Sequence, residues 1–223
     1  MNVITLFRIL STVSQFLVLC PVIFFTIPPK VLFDYHPLLI SIATIIILPY
    51  GASILDKRNN NLREPQTRQL KIRNHWILQT AALSLTYLGF TSIYLNKNRN
   101  FKQHFTTWHG ICGVSFVVCF SVQVFVGFLL IWGPRDLKTW LLRYNAKRVH
   151  AYCALVLQVL ISMTTCLGIQ SAWFQGKLRN YLPVGREYLI NWTLYTLLFT
   201  PPFYTFSQIT GLFKRTSDKL SSN

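Results

Sequence analysis

The chain has 223 residues, of which 52% are hydrophobic and only 13% charged, where a soluble domain carries about a quarter charged residues. Six acidic residues against 22 basic ones leave a formal net charge of +16. That surplus is not a nucleic-acid surface, because the lysines and arginines flank apolar runs of about twenty residues instead of clustering on one soluble face. What remains is a polytopic helical membrane protein, with its charges confined to short loops.

Six runs long enough to span a bilayer follow in chain order. The first is Leu6 to Ile27, stopped by Pro28 and Pro29, and it is expected to stay as a span because no small-residue cleavage site follows it. The second opens at His36-Pro37 and reaches Leu55. The third runs from His75 to Leu95, and the fourth from Thr106 to Trp132, where Gly133-Pro134 ends it. The fifth covers Val149 to Trp173. The sixth covers Tyr188 to Leu212, with Pro201-Pro202 expected to kink it rather than end it. No repeat, low-complexity tract or long linker divides the chain, so residues 1–223 read as one all-α transmembrane domain.

Six spans put both termini on one side. That side holds the loop with Lys57, Arg58, Arg63, Arg68, Lys71 and Arg73, the loop with Arg135, Lys138, Arg143, Lys147 and Arg148, and also Arg8, Lys214, Arg215 and Lys219. The opposite side has Lys30, Lys97, Arg99, Lys102, Lys177, Arg179 and Arg186. This bias of about two to one places the termini in the cytosol. The five cysteines all lie inside apolar runs and read as small packing residues, not as a disulfide or zinc framework. The sequon Asn191-Trp192-Thr193 falls at the sixth span and reads as chance.

Five histidines stand near span ends. His36 and His109 open spans two and four on the non-cytosolic side; His75 and His150 open spans three and five on the cytosolic side. Two layers result, each with two histidines from different helices. Bis-histidine haem ligation needs this pattern, since six-coordinate iron takes one imidazole on each face. Layers near the two ends of the hydrocarbon core would set two irons about 20 Å apart. The simpler reading of any one of these histidines is an interfacial anchor or cap.

The segments DYHPLLIS, KIRNHWILQTAAL and HFTTWHGICGV, and more weakly KRVHAYCALVLQ, resemble the cytochrome b561 family of transmembrane ascorbate-dependent reductases, in particular its short, domain-containing branch. The resemblance covers essentially the whole chain. It implies a four-helix core of spans two to five, flanked by spans one and six, with two b haems. His36 and His109 would ligate the non-cytosolic haem, and His75 and His150 the cytosolic one.

It further implies ascorbate as cytosolic electron donor, and monodehydroascorbate or ferric ion as acceptor beyond the membrane. Lys71, Arg73, Lys147 and Arg148 would form the basic rim that an ascorbate monoanion needs; the simpler reading is ordinary flanking charge. His104 matches the family's loop histidine and is either an acceptor-binding residue or a solvated loop side chain. Gly110 and Gly113 suit a close approach of backbone to a porphyrin. Ala154 departs from the family, many of whose members have glycine there. An endomembrane (endoplasmic reticulum or vesicle) is expected ahead of the plasma membrane, and a homodimer is compatible with the family. A ferric-reductase or NADPH-oxidase type cytochrome fits poorly, because no span carries two histidines. The rival outside redox chemistry is a cofactor-free transporter or structural protein.

Overall fold

The computed structural model describes residues 3–55, 65–143, 145–181, 183, 185–203 and 205–206. Among these every regular element is helical. Nine α-helices follow one another: α1 (Val3–Thr26), α2 (Tyr35–Ser41), α3 (Leu48–Ser53), α4 (Pro65–Arg99), α5 (Trp108–Trp132), α6 (Arg135–Arg143), α7 (Ala146–Ile169), α8 (Ala172–Arg179) and α9 (Arg186–Leu198). A 3-10 turn (Leu32–Asp34) leads into α2, and a π-helical stretch (Ile42–Ile47) joins α2 to α3 into one rod.

Local chemistry sets the helix ends. α1 stops before Pro28-Pro29, which cannot donate to a helical ladder. Asp34 turns the chain into α2, its Oδ2 accepting from the N–H groups of Lys30 (2.8 Å) and Val31 (3.1 Å). Thr107 caps α5 by accepting from Gly110 N at 3.2 Å, and Ser171 caps α8 by accepting from Phe174 N at 3.3 Å. Asn145, left-handed at φ 54°, separates α6 from α7. The π-helical stretch ends just before Pro49, with Leu48 N donating to Ala43 O five residues back.

The long helices close into a ring in chain order. α1 packs on α2, the α2–α3 rod on α4, α4 on α5, α5 on α7, α7 on α9, and α9 back on α1. The diagonal pairs α2/α5 and α4/α7 are not among the closely packed ones. Ala43, Leu48, Ala82, Phe116, Val117, Phe120, Leu157 and Ile161 fill the middle of the four-helix part. A second cluster (Val18, Val22, Ile169, Phe174, Leu194 among them) binds α1, α8 and α9 to the end of α7.

Among the described residues, four segments are long and apolar enough to cross a membrane: Ile9–Thr26, Leu32–Ser53, Trp108–Trp132 and Ala146–Ile169. They match the first, second, fourth and fifth expected spans within a few residues. The third expected span lies inside α4, which begins ten residues earlier, at Pro65, a residue suited to the first helical turn. Hydropathy sees only the apolar middle of such a helix and reads its charged first turns as loop. α4 is also the polar member of the ring. Its Thr86 Oγ1 donates to Ala82 O (2.8 Å), its Ser92 Oγ to Gly89 O (2.8 Å), and Gln79 Nε2 reaches Leu48 O on α3 (3.0 Å). Polar groups satisfied this way can sit between helices in lipid.

α9 carries the start of the sixth expected span, with residues 200–203 helical again around Pro201-Pro202. Residues 207–223, with Lys214, Arg215 and Lys219, lie outside the described residues, as do Lys57, Arg58 and Arg63. The short helices α6 and α8 were expected as loop. Asn191 of the sequon is buried, and its amide pairs twice with that of Gln175 (3.1 and 3.2 Å).

Candidate functional site

At one end of the bundle the structure brings His36 of α2 and His109 of α5 together across the diagonal, ring centres 6.1 Å apart and planes at 88°. Each ring is held from the helix beside it. His36 Nδ1 donates to Gly89 O on α4 at 3.1 Å, and His109 Nδ1 donates to Thr164 O on α7 at 2.9 Å. A carbonyl can only accept, so the proton is on Nδ1 in both rings. Nε2 is left with a free lone pair.

At the other end, His75 of α4 donates from Nδ1 to Gly51 O on α3 at 2.8 Å. His150, in the second turn of α7, stands at the same end and faces Gly127 near the end of α5. His150 differs from the other three: its Nδ1 is buried without a hydrogen-bond partner. The backbone beside it is held instead, with Gln123 Nε2 donating to His150 O at 2.6 Å.

Each histidine packs against a glycine-bearing turn of its neighbouring helix, and the neighbours exchange the favour. His36 meets Gly89 and His75 meets Gly51 between α4 and the α2–α3 rod. A Cβ on Gly168 would come within 3.1 Å of His109 Cε1, and one on Gly127 within 3.2 Å of His150 Cε1, so α5 and α7 do the same. The sequence reading missed these four glycines. Of the two glycines it named, Gly110 sits in the α5 cap near Thr107, and Gly113 faces Thr164. The close approach seen at the histidines is between helices, which proximity in sequence to His109 does not reveal. His109 and Gly127 are 18 residues apart, as are His150 and Gly168; five turns bring both back to one helix face, about 27 Å along the axis. That spacing was the available clue.

A family model described as eukaryotic cytochrome b561 matches residues 35–175, which contain all five histidines. The chain belongs to the cytochrome b561 family. Among curated proteins it is similar to the transmembrane reductase CYB561D2 of Bos taurus, 33% identical over 147 residues, covering 66% of this chain and 65% of that one. The Homo sapiens protein of the same name matches with the same identity and coverage. The probable transmembrane reductase CYB561D1 of Mus musculus is 28% identical over 161 residues, covering 71% of this chain and 69% of that one. The matched stretch thus spans just under two-thirds of the CYB561D2 proteins' length.

Cytochrome b561 proteins bind haem b, and the residues present fit that group. A metal–imidazole bond is about 2.0 Å, and about 1.1 Å more separates nitrogen from ring centre, so two rings on one iron lie about 6.2 Å apart. The pair, at 6.1 Å, matches that spacing. Carbonyls on Nδ1 of three of the four rings are the usual partners that orient an imidazole ligand and strengthen its donation.

Around these pairs the other expected residues are placed unevenly. Lys71 precedes His75 by four residues and shares its helix face, whereas Arg73, two residues away, points to the other side and is exposed. By the same register Lys147 flanks His150 and Arg148 is turned away. His104 sits in the turn between α4 and α5, its Nε2 donating to Asn98 Oδ1 at 2.7 Å and its ring stacked on Tyr94 at 4.2 Å. Lys97, which the sequence reading took only as loop charge, is half-buried in the last turn of α4, its Nζ donating to Gln103 O at 3.0 Å.

Proposed function

We propose that the chain is a di-haem transmembrane oxidoreductase that moves single electrons from cytosolic ascorbate to an acceptor beyond the membrane, monodehydroascorbate or ferric iron. The observation that carries this reading is the His36–His109 pair. Two half-buried imidazoles from diagonal helices have their Nδ1 protons tied to carbonyls and their centres 6.1 Å apart. His75 and His150 make the corresponding pair at the opposite end. When bound, haem supplies a reversible one-electron change at iron; the protein supplies ligands, orientation and a dry sheath.

In this reading the chain is one domain of six spans, α1 and α9 flanking the four-helix core, with its termini in the cytosol and its home in an endomembrane. Lys71 and Lys147, with Arg73 and Arg148 further out, draw the ascorbate anion to the His75/His150 end. The layer of Phe116 and Phe120 keeps water out between the two pairs. At the His36/His109 end, His104 is fixed beside Tyr94 and Asn98, where an acceptor would arrive. A homodimer in the bilayer is compatible with the exposed apolar flanks of α1 and α5.

The test is the optical spectrum of the purified protein before and after ascorbate, repeated on single histidine variants. A reduced haem b spectrum is expected with ascorbate, and His75→Ala or His150→Ala should each remove one haem and spare the other. A protein purified without haem absorbance would be the cofactor-free membrane protein of the rival reading. Haem that stays oxidised in ascorbate would remove the donor alone, and loss of neither haem would break the pairing.

A further inference from the structure

The four histidines use the part of the ring between the α2–α3 rod, α4, α5 and α7. The rod and α7 are not among the closely packed pairs, and a second space lies on their other side. There, where α1, the π-helical stretch, α7 and the end of α9 meet, is a cavity of about 20 Å³. Room of that size takes one water molecule and no larger ligand.

Gln158 of α7 projects into this cavity. It stands eight residues past His150 and six before Thr164, whose carbonyl holds His109, so it lies at mid-depth between the two histidine layers. The residue is 6% exposed. Its side-chain amide makes no hydrogen bond among the described residues, while its backbone carbonyl accepts from Ser162 Oγ at 2.9 Å. Among those residues the one fully enclosed side-chain polar atom without a partner is His150 Nδ1. The Gln158 amide is therefore unpartnered but not enclosed, and it opens into the cavity. Gln15, half-buried on α1, lines the same cavity with an amide that is equally unpartnered among the described residues. Amides left bare at this depth are costly.

The rest of the lining selects what can satisfy them. Thr44 Oγ1 donates to Ile40 O (2.7 Å), Thr165 Oγ1 to Ile161 O (2.8 Å), and Ser162 Oγ shares its proton between Gln158 O and Leu198 O (2.8 Å). These hydroxyl oxygens remain as acceptors beside two amides that both donate and accept. No ionisable side chain borders the cavity among the described residues, so an ion would sit there uncompensated. A small neutral molecule with both donors and lone pairs fits the lining.

We propose that Gln158 and Gln15 hold one water molecule at this junction, and that the water is the polar bond joining the flanking helices to the core. The adjoining face of α7 is its opposite in character, with Leu157 and Ile161 packed on Phe116 and Phe120. One helix thus divides a dry layer from a wet site, and the site does not depend on the redox reading.

The test is X-ray radiolytic labelling of the full-length protein in lipid nanodiscs, read by mass spectrometry. X-rays split a bound water in place, and the hydroxyl radical attacks the side chains that touch it. Ile45 and Leu198, both buried on the cavity wall, should be oxidised. Phe116 and Phe120, equally buried and more reactive, should not be. Gln158→Met, which keeps the length and removes the amide, should abolish the oxidation of Ile45 and Leu198. Gln15→Met should lower the thermal midpoint of the wild type and leave that of Gln158→Met little changed, because the two share one ligand. Unlabelled Ile45 and Leu198 would overturn the proposal, as would equal labelling of Phe116 and Phe120, labelling that survives Gln158→Met, or additive midpoint shifts. The wild-type pattern is decisive even where Gln158→Met does not fold.

Discussion

His109 and Gly168 touch across the α5–α7 interface: a Cβ on the glycine would lie 3.1 Å from Cε1 and 3.4 Å from Nδ1 of the ring. The ring cannot retreat, because Nδ1 is bound to Thr164 O at 2.9 Å. Gly127 crowds His150 almost as closely, at 3.2 Å, but no hydrogen bond on Nδ1 holds that ring against the glycine, so it can shift by the few tenths of an ångström a methyl group needs. Gly168→Ala should therefore cost most of one haem and about 1–3 kcal/mol of stability, as overpacking against a fixed neighbour does. Gly127→Ala should keep both haems. Haem-to-protein ratios of the two variants decide this, and equal behaviour would mean that the Nδ1 bond does not fix the ring.

Gly89 carries a double duty that a second pair of variants can separate. Its carbonyl accepts from His36 Nδ1 (3.1 Å) and from Ser92 Oγ (2.8 Å), while its missing side chain leaves room for Ile40. A Cβ there would lie 2.9 Å from Ile40 Cγ1 and 3.3 Å from Ile40 N. Gly89→Ala should lower the thermal midpoint and loosen the haem on His36. Adding Ile40→Ala should recover part of both, since the Cγ1 clash goes and the backbone one stays. Additive losses in the double variant would rule out the contact as the cause.

How much of this was legible without coordinates follows from what hydropathy can and cannot see. Span positions and the depth of each histidine are properties of one helix at a time, so the His36/His109 pairing could be reached from chain order alone. The partners of those histidines are not. Gly51, Gly89, Gly127 and Gly168 lie 14 to 18 residues from the histidine on their own helix and matter only through the next helix. α4 was cut short because Arg68, Lys71 and Arg73 look like loop to an apolarity scan, although they continue the helix from Pro65. Lys97 was lost for the converse reason. A lysine in a basic loop looks interchangeable until the turn from Arg99 to Gln103 folds it back.

The longer α4 changes which bases should matter for the donor. At about 100° per residue, Lys71 lies about 40° from His75 around the helix and Arg73 about 200°. Lys71→Gln should raise the ascorbate KM several-fold at low ionic strength, with kcat little changed, as loss of long-range attraction does. Arg73→Gln should shift it less, and added salt should shrink the difference. If Arg73→Gln has the larger effect, the donor approaches from the membrane-facing side of α4 and the register argument fails.

The Asn191–Gln175 pair makes the last prediction, at a place where a sequence motif and the fold compete. Two hydrogen bonds between side-chain amides, 3.1 and 3.2 Å, join α9 to α8, and Gln175 Nε2 also donates to Ile169 O at 2.7 Å, tying the pair to the end of α7. Asn191 is 9% exposed, so a glycosyl transferase acting on the folded chain has no access to it. Glycosidase treatment of the protein from a eukaryotic host should leave its electrophoretic mobility unchanged. Asn191→Leu should cost about 1–3 kcal/mol, because it strands the Gln175 amide in an apolar setting. Changing both residues to leucine should cost less than that single change, since neither side then buries an unpaired polar group. A mobility shift on glycosidase treatment would show that Asn191 faces solvent before α9 docks, and the amide pair would then form too late to protect it.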